Sequence, residues 1–147
     1  MTPVAPLWRC PKCGRMFANR HQEHSCGAFT VEAFLQGKSA AACALYQRFA
    51  EMVERCGPVV IAPAKTRIGF QVRMIFAAVN HLSEGRLDAH VVLKRRIESP
   101  RFRRIETLTP TCHVHHFRVT SVEELDEEVM LWLREAYKVG EQRREES

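Results

Sequence analysis

Two stretches of the chain carry apolar residues at helical spacing, and between them the spacing becomes that of strands. In "SAAACALYQRFAEMVERCGP" the apolar positions Leu45, Phe49, Met52, Val53 and Cys56 share one helical face. Ser39 is placed to cap its start and Gly57-Pro58 to stop it. In "SVEELDEEVMLWLREAYKVG" Leu125, Val129, Trp132, Leu133 and Ala136 form a second face, with Ser121 and Glu124 as a capping box and Gly140 as the end. Acids crowd its first turn, and Arg134 and Lys138 its last, as the helix dipole prefers.

From Val59 to Val119 the segments "VVIAPAK", "RIGFQVR", "MIFAAVNHL", "LDAHVVLKR", "RRIETL" and "CHVHHFRV" are short, β-branched or aromatic, and punctuated by Gly, Pro, Asn or Ser. Connections this short favour antiparallel neighbours over crossovers, so the sheet is expected to meander. The matching apolar faces of the two helices place both on one side of it. The expected class is α+β: an amino-terminal unit at 1–28, a domain at 29–140 that opens with a helical turn from near Thr30 to Gly37, and a flexible tail at 141–147. A chain of 147 residues is long enough to bury roughly 70% of its unfolded surface, so the domain needs no staples.

Chemistry concentrates first in the amino-terminal unit. "CPKCGRMFANRHQEHSC", residues 10–26, holds three cysteines and two histidines. A Cys-x-x-Cys turn directs two thiolates at one zinc ion, and Cys10 and Cys13 provide that half, with Gly14 easing the turn. Cys26 adds a third sulfur. Either His21 or His24 completes a Cys3His set by spacing. With four protein ligands the site is closed and structural, with no position for a catalytic water. A redox pair would need a strand before Cys10 and a helix after it, which the pattern does not supply.

The longest apolar run, "MIFAAV" (Met74 to Val79), falls far short of the ~18 residues of a membrane span, and "MTPVAPLW" lacks the basic start and apolar core of a signal peptide. A cytoplasmic location without a membrane partner is the expectation, and in a reducing compartment clustered cysteines favour metal over disulfides.

The net charge of +5 can be assigned to one eleven-residue stretch, although residues 1–27 are also basic by three and the end from Ser121 is acidic by five. "KRRIESPRFRR" (94–104) contains six basic residues and one acid, which leaves the rest of the chain balanced at sixteen of each. If Ser99-Pro100 turns a hairpin, Lys94, Arg95, Arg96, Arg101, Arg103 and Arg104 cluster at its tip, and Phe102 offers a ring for stacking on a base. That is a candidate surface for nucleic acid or another polyanion. The alternative role is an edge strand that uses charge to block sheet-to-sheet association.

"CHVHHF" (112–117) is the remaining cluster. On a strand His113 and His115 share a face and His116 lies opposite, which could serve a second metal or, with Cys112, a small hydrolase or nuclease. No acid is near in sequence, and only folding could bring His81 or His90 close. Cys43 and Cys56 lie in the first long helix and read as packing residues. No Gly-rich phosphate loop, HExxH, GxSxG or paired-carboxylate motif is present.

The stretch "WRCPKCGRMFANRHQEHSCG" resembles the W-x-C-P-x-C-G-R-x-F-x-N-x-x-Q-x-H-x-C-G segment that precedes certain bacterial domains of unknown function, some of them frataxin-like in fold. The resemblance assigns the ligands as Cys10, Cys13, His24 and Cys26. The remainder is similar to one such family that opens its globular part with FLxG, here Phe34 to Gly37, and closes with WLxEAY, here Trp132 to Tyr137. The resulting expectation is a non-enzymatic module with a structural Zn2+ knuckle that contacts a polyanion through the basic hairpin. The rivals are the small hydrolase or nuclease at Cys112 to His116, and a frataxin-like metal carrier using the acids between Glu123 and Glu128.

Overall fold

The computed structural model describes residues 8–9, 11, 16–17 and 29–142. Near the start, β1 (Trp8–Arg9) pairs antiparallel with β2 (Met16–Phe17), Trp8 opposite Phe17. The expected zinc residues Cys10, Cys13, His24 and Cys26, together with His21, lie outside the described residues, as do 143–147.

The first two helices begin where the sequence pattern places their starts, near Thr30 and at the Ser39 cap. Thr30 Oγ1 accepts the Ala33 amide at 3.0 Å to start α1 (Val31–Leu35), and Ser39 Oγ accepts the Ala42 amide at 3.1 Å to start α2 (Ala40–Glu54). Leu45, Phe49, Met52 and Val53 of α2 are buried, as their spacing requires. Six strands follow: β3 (Val60–Pro63), β4 (Ile68–Gln71), β5 (Ile75–Ser83), β6 (Arg86–Leu93), β7 (Phe102–Thr109) and β8 (Cys112–Val119). The chain closes with α3 (Glu127–Gly140). None of the described helices is long and apolar enough to cross a membrane.

The start of α3 differs from the capping box expected at Ser121. Residues 122–124 form a 3₁₀ turn, because the Glu124 carboxylate reaches back to the Thr120 amide and hydroxyl at 2.8 and 2.6 Å. Asp126 is the cap instead, accepting the Val129 amide at 3.2 Å. Two more acids, Glu127 and Glu128, fill the first turn, where the helix dipole favours them. Leu125 still enters the core, but from the turn before the helix.

The six strands form one antiparallel sheet in the order β3-β4-β5-β6-β8-β7. Both α2 and α3 pack on β5 and β6 and on each other, so they share a face, as expected. Under them lie Phe49, Phe70, Val79, Ala89, Val91, Phe117, Trp132 and Leu133, all buried. Ring packing ties the layers together: Phe117 lies 5.4 Å from Trp132 and 6.4 Å from Phe49. At the far end of α3, Gly140 sits against Phe76 so closely that a Cβ there would come within 2.6 Å of the ring. The Gly140 carbonyl accepts the Arg73 and Met74 amides at 2.9 and 3.2 Å, which anchors the helix end to the β4–β5 connection.

The meander stops at β6, and the 94–104 hairpin is not formed. β6 and β7 both pair with β8, on opposite sides, and therefore run parallel to each other. The pattern of β8 explains this order. His113, His115, Phe117 and Val119 are all buried, whereas β7 exposes Arg103, Arg104, Glu106, Thr107, Leu108 and Thr109. A strand that buries one full face belongs inside the sheet, and a charged one belongs at its edge. Residues 94–101 therefore cross β8 on the helix side, where Ile97 packs against the core.

Candidate polyanion interface

The crossover disperses the basic run. Arg95 donates from Nε and Nη2 to the Glu135 carboxylate of α3 at 2.9 to 3.3 Å, and Arg96 pairs with Glu98 at 2.7 Å. Arg101 binds both Asp126 oxygens at 3.0 and 3.1 Å, Glu128 at 3.0 Å and the Glu124 carbonyl at 2.7 Å, with its guanidinium 5.2 Å above the Trp132 ring. Phe102 turns inward, 4.4 Å from Trp132 and 4.8 Å from His115. Lys94 is half-buried at the end of β6. Only Arg103 and Arg104 remain exposed on the edge strand, where Arg104 pairs with Glu106 at 3.1 Å. Three acids of the metal-carrier reading have partners of their own: Glu124 is held by Thr120, and Asp126 and Glu128 by Arg101.

The histidines divide by strand parity. His113 and His115 face the helices, and their backbone partners fix their tautomers. A carbonyl only accepts and an amide N–H only donates, so His115 is protonated at Nδ1, which bonds the His113 carbonyl at 3.0 Å. Its bare Nε2 accepts the Ile97 amide at 3.0 Å. Burial pushes its pKa down. By the same logic His113 donates Nε2–H to the Pro110 carbonyl at 3.1 Å and accepts the Thr107 hydroxyl at Nδ1, 2.9 Å away. Both rings are spent on holding loops. Among the described residues, no three His, Cys, Asp or Glu side chains converge as metal ligands.

His116 points to the other face, which no described helix covers. There its ring lies 5.3 Å from His90, which stands opposite it in the β6–β8 register. The Glu106 carboxylate accepts His116 Nε2–H at 2.6 Å. Because that proton is committed, the 3.5 Å approach of Arg104 to the same nitrogen is a contact rather than a hydrogen bond. His90 is bonded through Nδ1 to the Asn80 amide. Its pKa falls to about 4, first because burial penalises the imidazolium, then because His116 and Arg67 repel it. The Glu106 pKa is lowered by its hydrogen bond from His116 and then by Arg104.

A second polar group lies further along this face. Asp88, opposite Arg118 in register, takes Arg118 Nε at 2.7 Å and lies 3.4 Å from Arg86 Nε. Arg67, from the β3–β4 turn, is exposed and pairs with no described carboxylate. Among the described residues this second face thus presents Arg67, Arg86, Arg104 and Arg118 against Asp88 and Glu106, a surplus of two positive charges. Of these arginines the sequence reading singled out only Arg104. Strand alternation puts Arg118 and His116 on one face, but joining them to Asp88, His90 and Arg67 needs the register between strands far apart in sequence.

The fold defines a class: an α+β domain with a helix pair on one face of a six-stranded antiparallel sheet and a cationic second face. The chain belongs to the family described as a domain of unknown function (DUF5655), which matches residues 31–140. No curated protein and no solved structure matches the chain.

Proposed function

We propose that this chain is a non-enzymatic binding module that holds nucleic acid or another polyanion on the helix-free face of its sheet. The observation that supports this reading is the gathering of Arg67, Arg86, Arg104 and Arg118 from four separate elements onto one face with only two carboxylates between them. Cations spaced along a sheet can neutralise successive phosphates, and each such contact releases counterions. Binding of single-stranded RNA, followed by fluorescence anisotropy from low to moderate salt, is expected to weaken steeply. Arg67→Ser and Arg104→Ser each flatten the log–log slope by about 0.7 to 0.9. Arg95→Ser, whose guanidinium serves Glu135 on the helix side, leaves the slope unchanged. Equal slopes for all four proteins would overturn the assignment of this face.

The amino-terminal residues are a second part of the reading. Three thiolates and one imidazole, from Cys10, Cys13, Cys26 and His24, are a donor set that suits structural zinc. Purified protein is expected to hold about one zinc per chain, lost in Cys13→Ser and kept in His21→Ala.

A second reading, a nuclease, has one contact in its favour: the Glu106 carboxylate 2.6 Å from His116, which orients the imidazole as a general base would need. Cleavage of the bound RNA that disappears in His116→Ala while binding persists would establish it.

A further inference from the structure

The carboxyl-terminal ends of α2 and α3 meet at a cavity of about 440 Å³ on the helical side of the molecule, away from the sheet face that carries His90 and His116. Three cations line it: Arg55 from the end of α2, and Arg134 and Lys138 from successive turns of α3. All three are exposed, and none is ion-paired with a described carboxylate. That separates them from Arg95 and Arg101, which nearby acids consume. A single cation in the last turn of a helix answers its dipole. Three cations converging on one cavity from two helices exceed that need, since each helix end carries only about half a negative charge.

The wall between them is rigid and neutral. Tyr137 donates its hydroxyl to the Pro58 carbonyl at 2.7 Å, and a Cβ on Gly57 would come within 2.6 Å of that oxygen. Gly57 sits at φ 145, so glycine is required there for its conformation as well as for space. The Cys56 thiol bonds the Met52 carbonyl at 3.6 Å, and burial raises its pKa, which keeps it uncharged. The lining also includes one acid, Glu141. Three cations against one carboxylate leave a formal surplus of two among these lining residues, of which the two helix ends offset about one, and the two guanidiniums offer paired N–H donors that suit the several oxygens of a phosphate.

We infer that this cavity binds the phosphate of a small organic monoester, with Arg55, Arg134 and Lys138 holding the dianion and the Tyr137 and Pro58 wall receiving the organic group. Its volume lies in the range of small-molecule sites, and arginine pairs with phosphate through two parallel N–H donors. The reading does not depend on the sheet face, which lies on the opposite side of the molecule.

The test is amide NMR of the full chain titrated with phenyl phosphate, inorganic phosphate, sulfate and benzoate at matched ionic strength. Saturable shifts at Cys56, Gly57 and Tyr137 are expected with phenyl phosphate, weaker ones with inorganic phosphate, and none with benzoate. Arg134→Gln and Lys138→Gln should each weaken phenyl phosphate binding about tenfold, while Arg103→Gln leaves it unchanged. Absence of saturation at these amides, equal response to benzoate, or undiminished binding in both variants would overturn the inference.

Discussion

Substitution of Arg101 distinguishes a structural arginine from a ligand-binding one, because its partners hold the crossover to α3. Its side chain is 25% exposed and joins the β6–β7 crossover to the start of α3 through Asp126, Glu128 and the Glu124 carbonyl. The two carboxylates are themselves about half exposed, so each pair contributes ~0.2 to 1 kcal/mol rather than the value of a buried pair. The shorter bond to the carbonyl adds roughly 1.5 kcal/mol as a charge-assisted hydrogen bond. Packing of the guanidinium over Trp132 adds about 0.5 to 1 kcal/mol. Arg101→Met keeps the apolar stem and deletes the rest, so it should destabilise the domain by about 2.5 to 4.5 kcal/mol, or roughly 10 °C or more in Tm for a domain of this size. Arg101→Lys recovers only part of this, because an ammonium cannot span three acceptors in the fixed geometry of a guanidinium. Urea unfolding followed by far-UV circular dichroism measures it, with exposed Arg103→Met expected within about 0.5 kcal/mol of wild type. If Arg101→Met unfolded at the Arg103→Met midpoint, the crossover would not be pinned through this residue, and Arg101 would return to the pool of surface cations.

Three further outcomes follow from single groups. His90 has a folded pKa near 4 against about 6.5 unfolded, so as pH falls the unfolded chain takes up the proton first, and stability present above pH ~6.5 is lost towards pH ~4. The loss amounts to roughly 3 kcal/mol at about 1.4 kcal/mol per pH unit, and His90→Gln should flatten urea midpoints across that window. His115→Phe keeps a ring in place but leaves the Ile97 amide without its acceptor, at a cost of about 1 to 3 kcal/mol in the same assay. Gly140→Ala forces a methyl into the Phe76 ring and should cost about 1 to 3 kcal/mol, despite the usual gain of alanine over glycine in a helix.

What could be read from the sequence was whatever is encoded locally. Ser39 and the i, i+3, i+4 spacing of Leu45, Phe49, Met52 and Val53 fix α2 and its inward face from within a few residues, and the same holds for Val129 to Ala136 in α3. Strand positions were legible for the same reason. Strand order was not, because nothing local to residues 94–101 says that the segment crosses β8 instead of turning back. The evidence lay in the comparison of β8 with β7: one alternates a buried face through His113, His115, Phe117 and Val119, and the other carries exposed charge and threonine. That one difference moved Arg95, Arg101 and Phe102 from a presumed binding tip to contacts with α3. Arg67, Arg86 and Arg118 remained unremarked because their grouping exists only once β4, β6 and β8 are in register. For His113 and His115, residue type suggested chemistry, whereas backbone acceptors and donors consume their nitrogens.

Which face of the sheet meets the polyanion is tested directly by amide NMR of the full chain with a short single-stranded RNA at low ionic strength. The expected shifts concentrate at Arg67, Asp88, His90, Arg104, His116 and Arg118, and fade as salt is raised. Shifts confined to residues 94–101 and the first turn of α3, with the helix-free face silent, would contradict the proposed interface.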